Sequence, residues 1–248
     1  MNVISIKTHK ISPQDKLFDV INKYILKIEE KSIIVVASKI VAIAQGRVTK
    51  LTQEEKEKLI KKEADLYLPK SYNKHGLYIT IKDNYLTYSA GIDESNANGM
   101  YVLWPKNPQE VANSLRSYLQ KRYKIQNVGI IITDMLAIPL KWGVIGGAIA
   151  YSGFAPIKDL TGTKDMYGRE FKYTRVGILH GLAAGAAVVM GEGAEQTPLG
   201  IITDVPFVEF QNHNPTRTEH ASFKIDPSED LYGPMLTAVP WKKTIKSK

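Results

Sequence analysis

The sequence predicts an α+β fold with a mixed or antiparallel sheet and packed helices. Three observations lead there. Stretches of helical period and short apolar runs follow one another without strict alternation. Two of the runs, Ile33–Ala37 and Val128–Thr133, are continuous, as strands buried on both faces are. With 248 residues the chain is long enough to bury a substantial core, and it shows no internal repeat.

Each element has its own signal. Ser12-Pro13-Gln14-Asp15 reads as a helix start, with Ser as N-cap, Pro in the first turn and Asp at the positive end of the dipole. Leu17, Val20, Ile21, Tyr24, Ile25 and Ile28 follow at helical spacing. Residues 38–45 continue the first apolar run as a helix that Gly46 ends. Thr52 and Glu55 form a capping box for a charged helix. Leu77–Ile81 and Tyr85–Ser89 read as strands around a turn at Lys82-Asp83-Asn84. Asn107-Pro108 opens a helix carrying Val111, Leu115, Tyr118 and Leu119 on one face. The second run is expected to end at Asp134, and residues 143–153 are glycine-rich and apolar. Arg175–Met190 reads as a helix of small residues closed by Gly191, and Leu199–Thr203 as a further strand. Residues 1–210 are expected to form one domain, and 211–248 a polar, extended C-terminal segment.

Composition excludes several classes. There is no cysteine, hence no disulfide framework, thiolate metal site or cysteine nucleophile. The first residues lack a signal-peptide core, and the most apolar stretch, 177–190, is too short for a bilayer, so a cytoplasmic protein without a membrane partner is expected. The net charge is +8, but the long charge run at 54–62 alternates in sign and no aromatic–Arg platform marks a nucleic-acid surface. The basic tail from Trp241 to Lys248 reads as solubilising. A polyanionic small ligand is the better use of the surplus charge.

Four segments put acidic residues beside glycine at the ends of apolar runs: A-G-I-D-E-S-N at 90–96, I-I-I-T-D at 130–134, G-T-K-D-M-Y-G-R-E at 162–170 and M-G-E-G-A-E-Q-T-P at 190–198. A carboxylate fixed by a strand suits a hard cation, and glycine lets main-chain N–H groups approach a phosphate. The combination points to a metal–nucleotide site, although an Asp after a strand is also an ordinary turn former. P-loop, dinucleotide and G-x-S-x-G signatures are all missing, and no histidine pair has zinc spacing. His180, among small residues, reads as a packed, hydrogen-bonded histidine.

Together with S-K-I-V-A-I-A-Q-G-R at 38–47, these segments resemble the coenzyme F420-0:L-glutamate ligase family, from about Ile4 to about Pro206. The resemblance implies that family's fold, a homodimer, and an amide ligase using GTP or ATP with two Mg²⁺ or Mn²⁺ ions, K⁺ being a further candidate ion. It places Asp93 and Asp134 on one divalent cation and Glu192 on a second. It assigns nucleotide contacts to Thr8, His9, Lys10, Ile11, Ser38, Lys39, Asn96, and Met190, Gly191, Glu192, Gly193, Ala194, Glu195, Gln196 and Thr197. Lys141, Asp165 and Arg169 take catalytic roles; the cationic Lys141, Lys164 and Arg169 suit the anionic acceptor or the developing charge, an ordinary surface ion pair being the alternative for each. The implied chemistry is activation of an acceptor carboxylate as an acyl phosphate, followed by attack of the glutamate amine.

The chain departs from the family's D-[ST]-x-G-R-x-x-R-x-G, reading D-M-L-A-I-P-L-K-W-G at 134–143. Met135 replaces a hydroxyl, Ile138 an arginine, and Lys141 keeps charge without a bidentate fork. Ile43 stands where a nucleotide-binding lysine is usual, Glu192 where Gln is frequent, and His180 where an acid is common. Some members of this family resemble γ-glutamyl ligases of folate metabolism, and the apolar 138–142 stretch suits a less phosphorylated acceptor, so a folate-like substrate stands beside F420-0. A nucleotide-binding module of the same fold without ligase activity is the alternative.

Overall fold

The computed structural model describes residues 1–244; the last four residues of the basic tail lie outside them. In chain order the elements are β1 (Asn2–Ile6), α1 (Leu17–Tyr24), β2 (Ser32–Ala37), α2 (Ser38–Ala44), β3 (Val48–Thr49), α3 (Gln53–Glu63) and β4 (Leu66–Leu68). There follow β5 (Ile79–Lys82), β6 (Tyr85–Tyr88), β7 (Tyr101–Val102), α4 (Pro108–Tyr123), β8 (Val128–Ala137) and β9 (Val144–Ser152). The remainder comprises β10 (Lys158–Asp159), β11 (Arg175–Val176), α5 (Ile178–Met190), β12 (Leu199–Thr203), α6 (Arg217–Ser222), α7 (Gly233–Thr237) and β13 (Lys242–Lys243). Helices with mixed and antiparallel sheets make this the expected α+β fold. The elements fall into two compact units, Met1–Ala44 with Asn107–Pro215, and Gln45–Lys106 with the described residues from 216 onward. The sequence reading places one boundary, at 210/211; the units meet at 44/45, 106/107 and 215/216.

The first unit is built on a five-stranded sheet in the order β1-β12-β2-β8-β9, antiparallel except for the β2–β8 pair. The parallel pair is central, and Ser32–Val36 and Val128–Thr133 are buried throughout, which explains why both read as unbroken apolar runs. Helices α4 and α5 pack on β8 and β9. At Gly146 a Cβ would lie 2.4 Å from Ala187 Cβ and 2.5 Å from the Ala183 carbonyl, so small residues on both sides let α5 and β9 touch.

Four expectations need correction. Strand β8 does not end at Asp134: Met135, Leu136 and Ala137 pair with Gly146, Ile145 and Val144, and the hairpin carries the strand three residues further. Helix α1 starts at Leu17, because Asp15 accepts the Ser12 N–H and hydroxyl at 2.8 Å each and closes a separate turn. Helix α5 starts at Ile178, since Arg175–Val176 is drawn into a ribbon with Lys158–Asp159. The segment after 211 holds α6 and α7; Thr216 with Glu219 supplies a capping box that the polar composition concealed.

The second unit carries the antiparallel sheet β13-β4-β5-β6 and the β3–β7 pair. Its β5–β6 hairpin turns at Asp83 and Asn84, with φ of 48° and 70°, as a two-residue turn matching the strand twist requires. The Thr52–Glu55 capping box is formed at the start of α3. Ile60, Ala64, Tyr78, Ala90, Ile92 and Leu103 form a core cluster here. Among the described residues, no helix is long and apolar enough to cross a membrane.

Candidate functional site

Strand register assembles the candidate site in the first unit. Ile6 pairs with Leu199, Leu199 with Val36, and Ala37 with Thr133. The residues just beyond those pairs therefore emerge at one end of the sheet: Lys7 and Thr8 after β1, Thr197 and Pro198 before β12, Ser38 after β2, and Asp134 along β8. The expected segments 8–11, 38–39, 134 and 190–197 thus come to one edge, although they are far apart in sequence. That end gathers the carboxyl ends of β1 and β2 and the amino end of β12, and loops leaving it diverge from a fixed frame.

Main-chain hydrogen bonds tie the loops together. Thr8 N–H donates to the Gln196 carbonyl at 2.9 Å, and Ala37 N–H to Pro198 at 2.9 Å. Thr8 is buried and its hydroxyl donates to the His9 carbonyl at 2.8 Å. The Thr197 hydroxyl donates to the Met190 carbonyl, closing the 190–197 loop on the end of α5. Within it Gly191 adopts φ 77°, and a Cβ there would lie 2.6 Å from Glu195 Cδ, so glycine lets the Glu195 side chain fold across the loop. Residues 191–196 are otherwise exposed, Glu192 among them. Ser38 is buried at the head of α2 and Lys39 is half-buried beside it. Asp134 is half-buried, and its Oδ1 accepts the Met135 N–H at 2.9 Å.

Asp93 and Asn96 lie in the second unit. Ahead of Asp93, Ser89, Ala90 and Gly91 all take positive φ, 50°, 53° and 71°, a strained run for the two non-glycine residues. Three bonds hold it: Ser89 N–H to the Tyr78 carbonyl at 2.8 Å, Ala90 N–H to Thr80 Oγ1 at 2.9 Å, and Ile92 N–H to the Ser89 carbonyl at 3.0 Å. Asp93 is then bridged to Val102, and its carboxylate accepts Ser95 N–H at 2.9 Å and Ser95 Oγ at 2.8 Å.

The remaining predicted residues sit elsewhere in the first unit. Lys141 is exposed on the β8–β9 turn between Leu140 and Trp142, which are almost wholly exposed. Asp165 and Arg169 lie on the excursion between β10 and β11. There Asp165 Oδ1 accepts Tyr167 and Arg169 N–H at 2.8 Å each, so this carboxylate shapes its own turn. His180 is packed on β9: Ala148 N–H donates to its Nδ1 at 3.3 Å, and burial pushes its pKa down.

The sheet-end donors are oxygens: the Asp134 carboxylate and the Thr8 and Ser38 hydroxyls. That set fits Mg²⁺ or Mn²⁺, which take one or two carboxylates and complete their shell with phosphate oxygens and water. Among the described residues, no group of three or more His, Cys, Asp or Glu stands together as a metal-holding set. Sequence reasoning missed Tyr24 and misread Asp15. The two grip His9 on both ring nitrogens, at 2.7 Å from Tyr24 Oη to Nδ1 and 2.8 Å from Asp15 Oδ1 to Nε2. No local pattern links residues 9, 15 and 24; only the path of the loop does.

A family model described as F420-0:gamma-glutamyl ligase matches residues 5–204. The chain belongs to the F420-0:gamma-glutamyl ligase family. It is 42% identical over 125 residues, 50% of each chain, to a protein of Methanococcus maripaludis named coenzyme F420:L-glutamate ligase. Proteins of the same name are 39% identical over 136 residues in Methanocaldococcus jannaschii (54% of each chain) and 38% over 145 residues in Methanopyrus kandleri (58% of this chain, 56% of that one). The chain spans about half the length of the curated relatives it matches. The family match covers every sheet-end segment described above.

Proposed function

We propose that this protein is a nucleotide- and divalent-metal-dependent γ-glutamyl ligase that joins L-glutamate to the carboxylate of F420-0 or a folate-like acceptor. The carrying observation is the sheet register that brings Thr8, Ser38, Asp134 and Thr197 to one end of the first unit's sheet, in a member of this ligase family. The nucleotide phosphates lie against the 7–11 loop, which offers Lys10, and against the 190–197 loop, whose Gly191 and Gly193 suit close approach of an anion. Asp134 is the first unit's metal ligand in this reading, with Glu192 on a second ion. The cations supply charge neutralisation at the transferring phosphoryl group. The acceptor carboxylate oxygen attacks the terminal phosphorus, giving an acyl phosphate and the nucleoside diphosphate. The glutamate amine then attacks the acyl carbon, forming the amide, losing a proton and expelling inorganic phosphate. Phosphoryl transfer of this type needs positioning and charge more than a protein nucleophile, which agrees with a chain lacking cysteine.

A second reading, a nucleotide-binding module without ligase activity, draws on Ile43: it is buried in α2, where the family resemblance expects a lysine for the nucleotide. One experiment separates the two. Purified protein is incubated with GTP or ATP, Mg²⁺ or Mn²⁺, glutamate and each acceptor, with and without K⁺, and mass spectrometry follows the gain of one glutamyl unit. The ligase reading expects that gain and its loss in Asp134→Asn. Nucleotide binding with no glutamate-dependent phosphate release on any acceptor favours the module, and turnover that survives Asp134→Asn removes the metal assignment.

A further inference from the structure

We propose that Tyr24 and Asp15 are positioning residues: they clamp the His9 ring at both nitrogens and hold the 7–11 loop in the shape that presents Lys10 to the phosphates of the nucleotide. The inference rests on the functional reading above and adds two residues to it. Tyr24 Oη accepts the His9 main-chain N–H at 2.9 Å and stands 2.7 Å from His9 Nδ1. Asp15 is an ionised carboxylate that can only accept, so in the neutral imidazole Nε2 carries the proton and Nδ1 takes the Tyr24 hydroxyl proton. Nε2 then donates to Asp15 Oδ1 at 2.8 Å. The two rings also stack, with centroids 5.7 Å apart and planes 27° from parallel.

Asp15 is itself anchored, its Oδ2 accepting both the N–H and the hydroxyl of Ser12. The Ser12 hydroxyl, His9 and the Ser12 amide together hold its carboxyl at about 2, so it stays an acceptor at any working pH. With both nitrogens engaged, the imidazole is a strut between the loop and α1, and not a phosphate ligand. On the loop's other flank, Thr8 N–H is bonded to Gln196, so the loop is fixed from two sides. Lys10, exposed between these anchors, is the group such a frame presents. Preorganising a cation in this way raises affinity by removing the ordering cost from the binding step.

The test uses the full-length protein and the variants Tyr24→Phe, which keeps the stacked ring, and Asp15→Asn, which keeps an acceptor oxygen. Long-range ¹H–¹⁵N correlation spectra read the His9 tautomer without any substrate. The wild type should show the Nε2–H form, and Asp15→Asn, whose amide can donate as well as accept, a mixture. In turnover, Tyr24→Phe should raise the KM for nucleotide about five- to ten-fold, the worth of one hydrogen bond, with kcat changed less than about two-fold; Asp15→Asn should fall between. An Nδ1–H or averaged tautomer in the wild type overturns the clamp. A freed tautomer with unchanged nucleotide KM overturns the positioning role. Failure of the functional reading looks different: the wild type does not turn over nucleotide while its His9 tautomer is locked. Titration of wild type and Tyr24→Phe with inorganic tripolyphosphate, followed at the loop amides, then reads the positioning role directly, and equal affinities overturn it.

Discussion

Replacing Arg116 by Ala is expected to destabilise the first unit by about 4 kcal/mol. Arg116, on α4, is only 2% exposed, yet its guanidinium faces no carboxylate among the described ion pairs. It donates instead to the Val128 carbonyl at 3.2 Å, Asn214 Oδ1 at 2.9 Å and the Gln211 carbonyl at 2.6 Å. It thereby staples the 211–214 segment to α4 and the start of β8. Bonds to a charged donor contribute about 1.5–3 kcal/mol each, and truncation leaves desolvated acceptors behind. Against this stands the burial of the guanidinium, which pushes its pKa down and offsets part of the gain. The difference leaves about 3–5 kcal/mol, a fall in melting temperature of roughly 10 °C for a chain of this size. Circular dichroism melts give the temperature, and limited proteolysis should show faster cleavage around 205–216. Arg116→Lys, able to reach one acceptor at a time, should lose about half as much. A melting temperature for Arg116→Ala within about 2 °C of wild type would refute the reasoning, because it would mean that desolvation cancels all three bonds.

Two further outcomes follow from other parts of the fold. The folded pKa of Asp15, about 2 against an ordinary 3.8, means its bonds stabilise the fold fully above pH 3.8 and are lost as pH falls towards 2. Asp15→Asn should therefore unfold at lower denaturant concentration than wild type at pH 7, with the gap closing in melts near pH 2; a gap that does not change with pH would count against that bond set. Gly91→Ala should destabilise the second unit by about 2–4 kcal/mol, since φ is 71° and the new Cβ would lie 2.2 Å from Trp104 Nε1. Urea unfolding followed by tryptophan fluorescence reads it, and a midpoint equal to wild type would show that the turn and the indole relax together.

Much of the fold was legible because its signals are local. The Thr52–Glu55 box, the Asp83–Asn84 turn, the buried run of β2 and the strand Leu199–Thr203 each depend on residues within one or two turns of chain. Where the reading slipped, a distant partner had the deciding vote. Val144–Gly146 lengthened β8 past Asp134, and Asp159 drew Arg175 out of α5 through the β10–β11 pair and a 3.0 Å ion pair. Asp15 shows the same competition: its dipole role at a helix start lost to His9 and Ser12, which offered direct hydrogen bonds.

The sequence by itself determined membership of a ligase family through motifs in order, the absence of thiols and a surplus of positive charge. Those follow from side-chain identity, which needs no coordinates. Only the tertiary structure decided which segments share an edge, because strand register sums contacts across residues 2–203 that no window of sequence contains. It also decided that both ring nitrogens of His9 are engaged, by Tyr24 and Asp15, since an imidazole's hydrogen bonds are set by its neighbours in space and not by its neighbours in the chain.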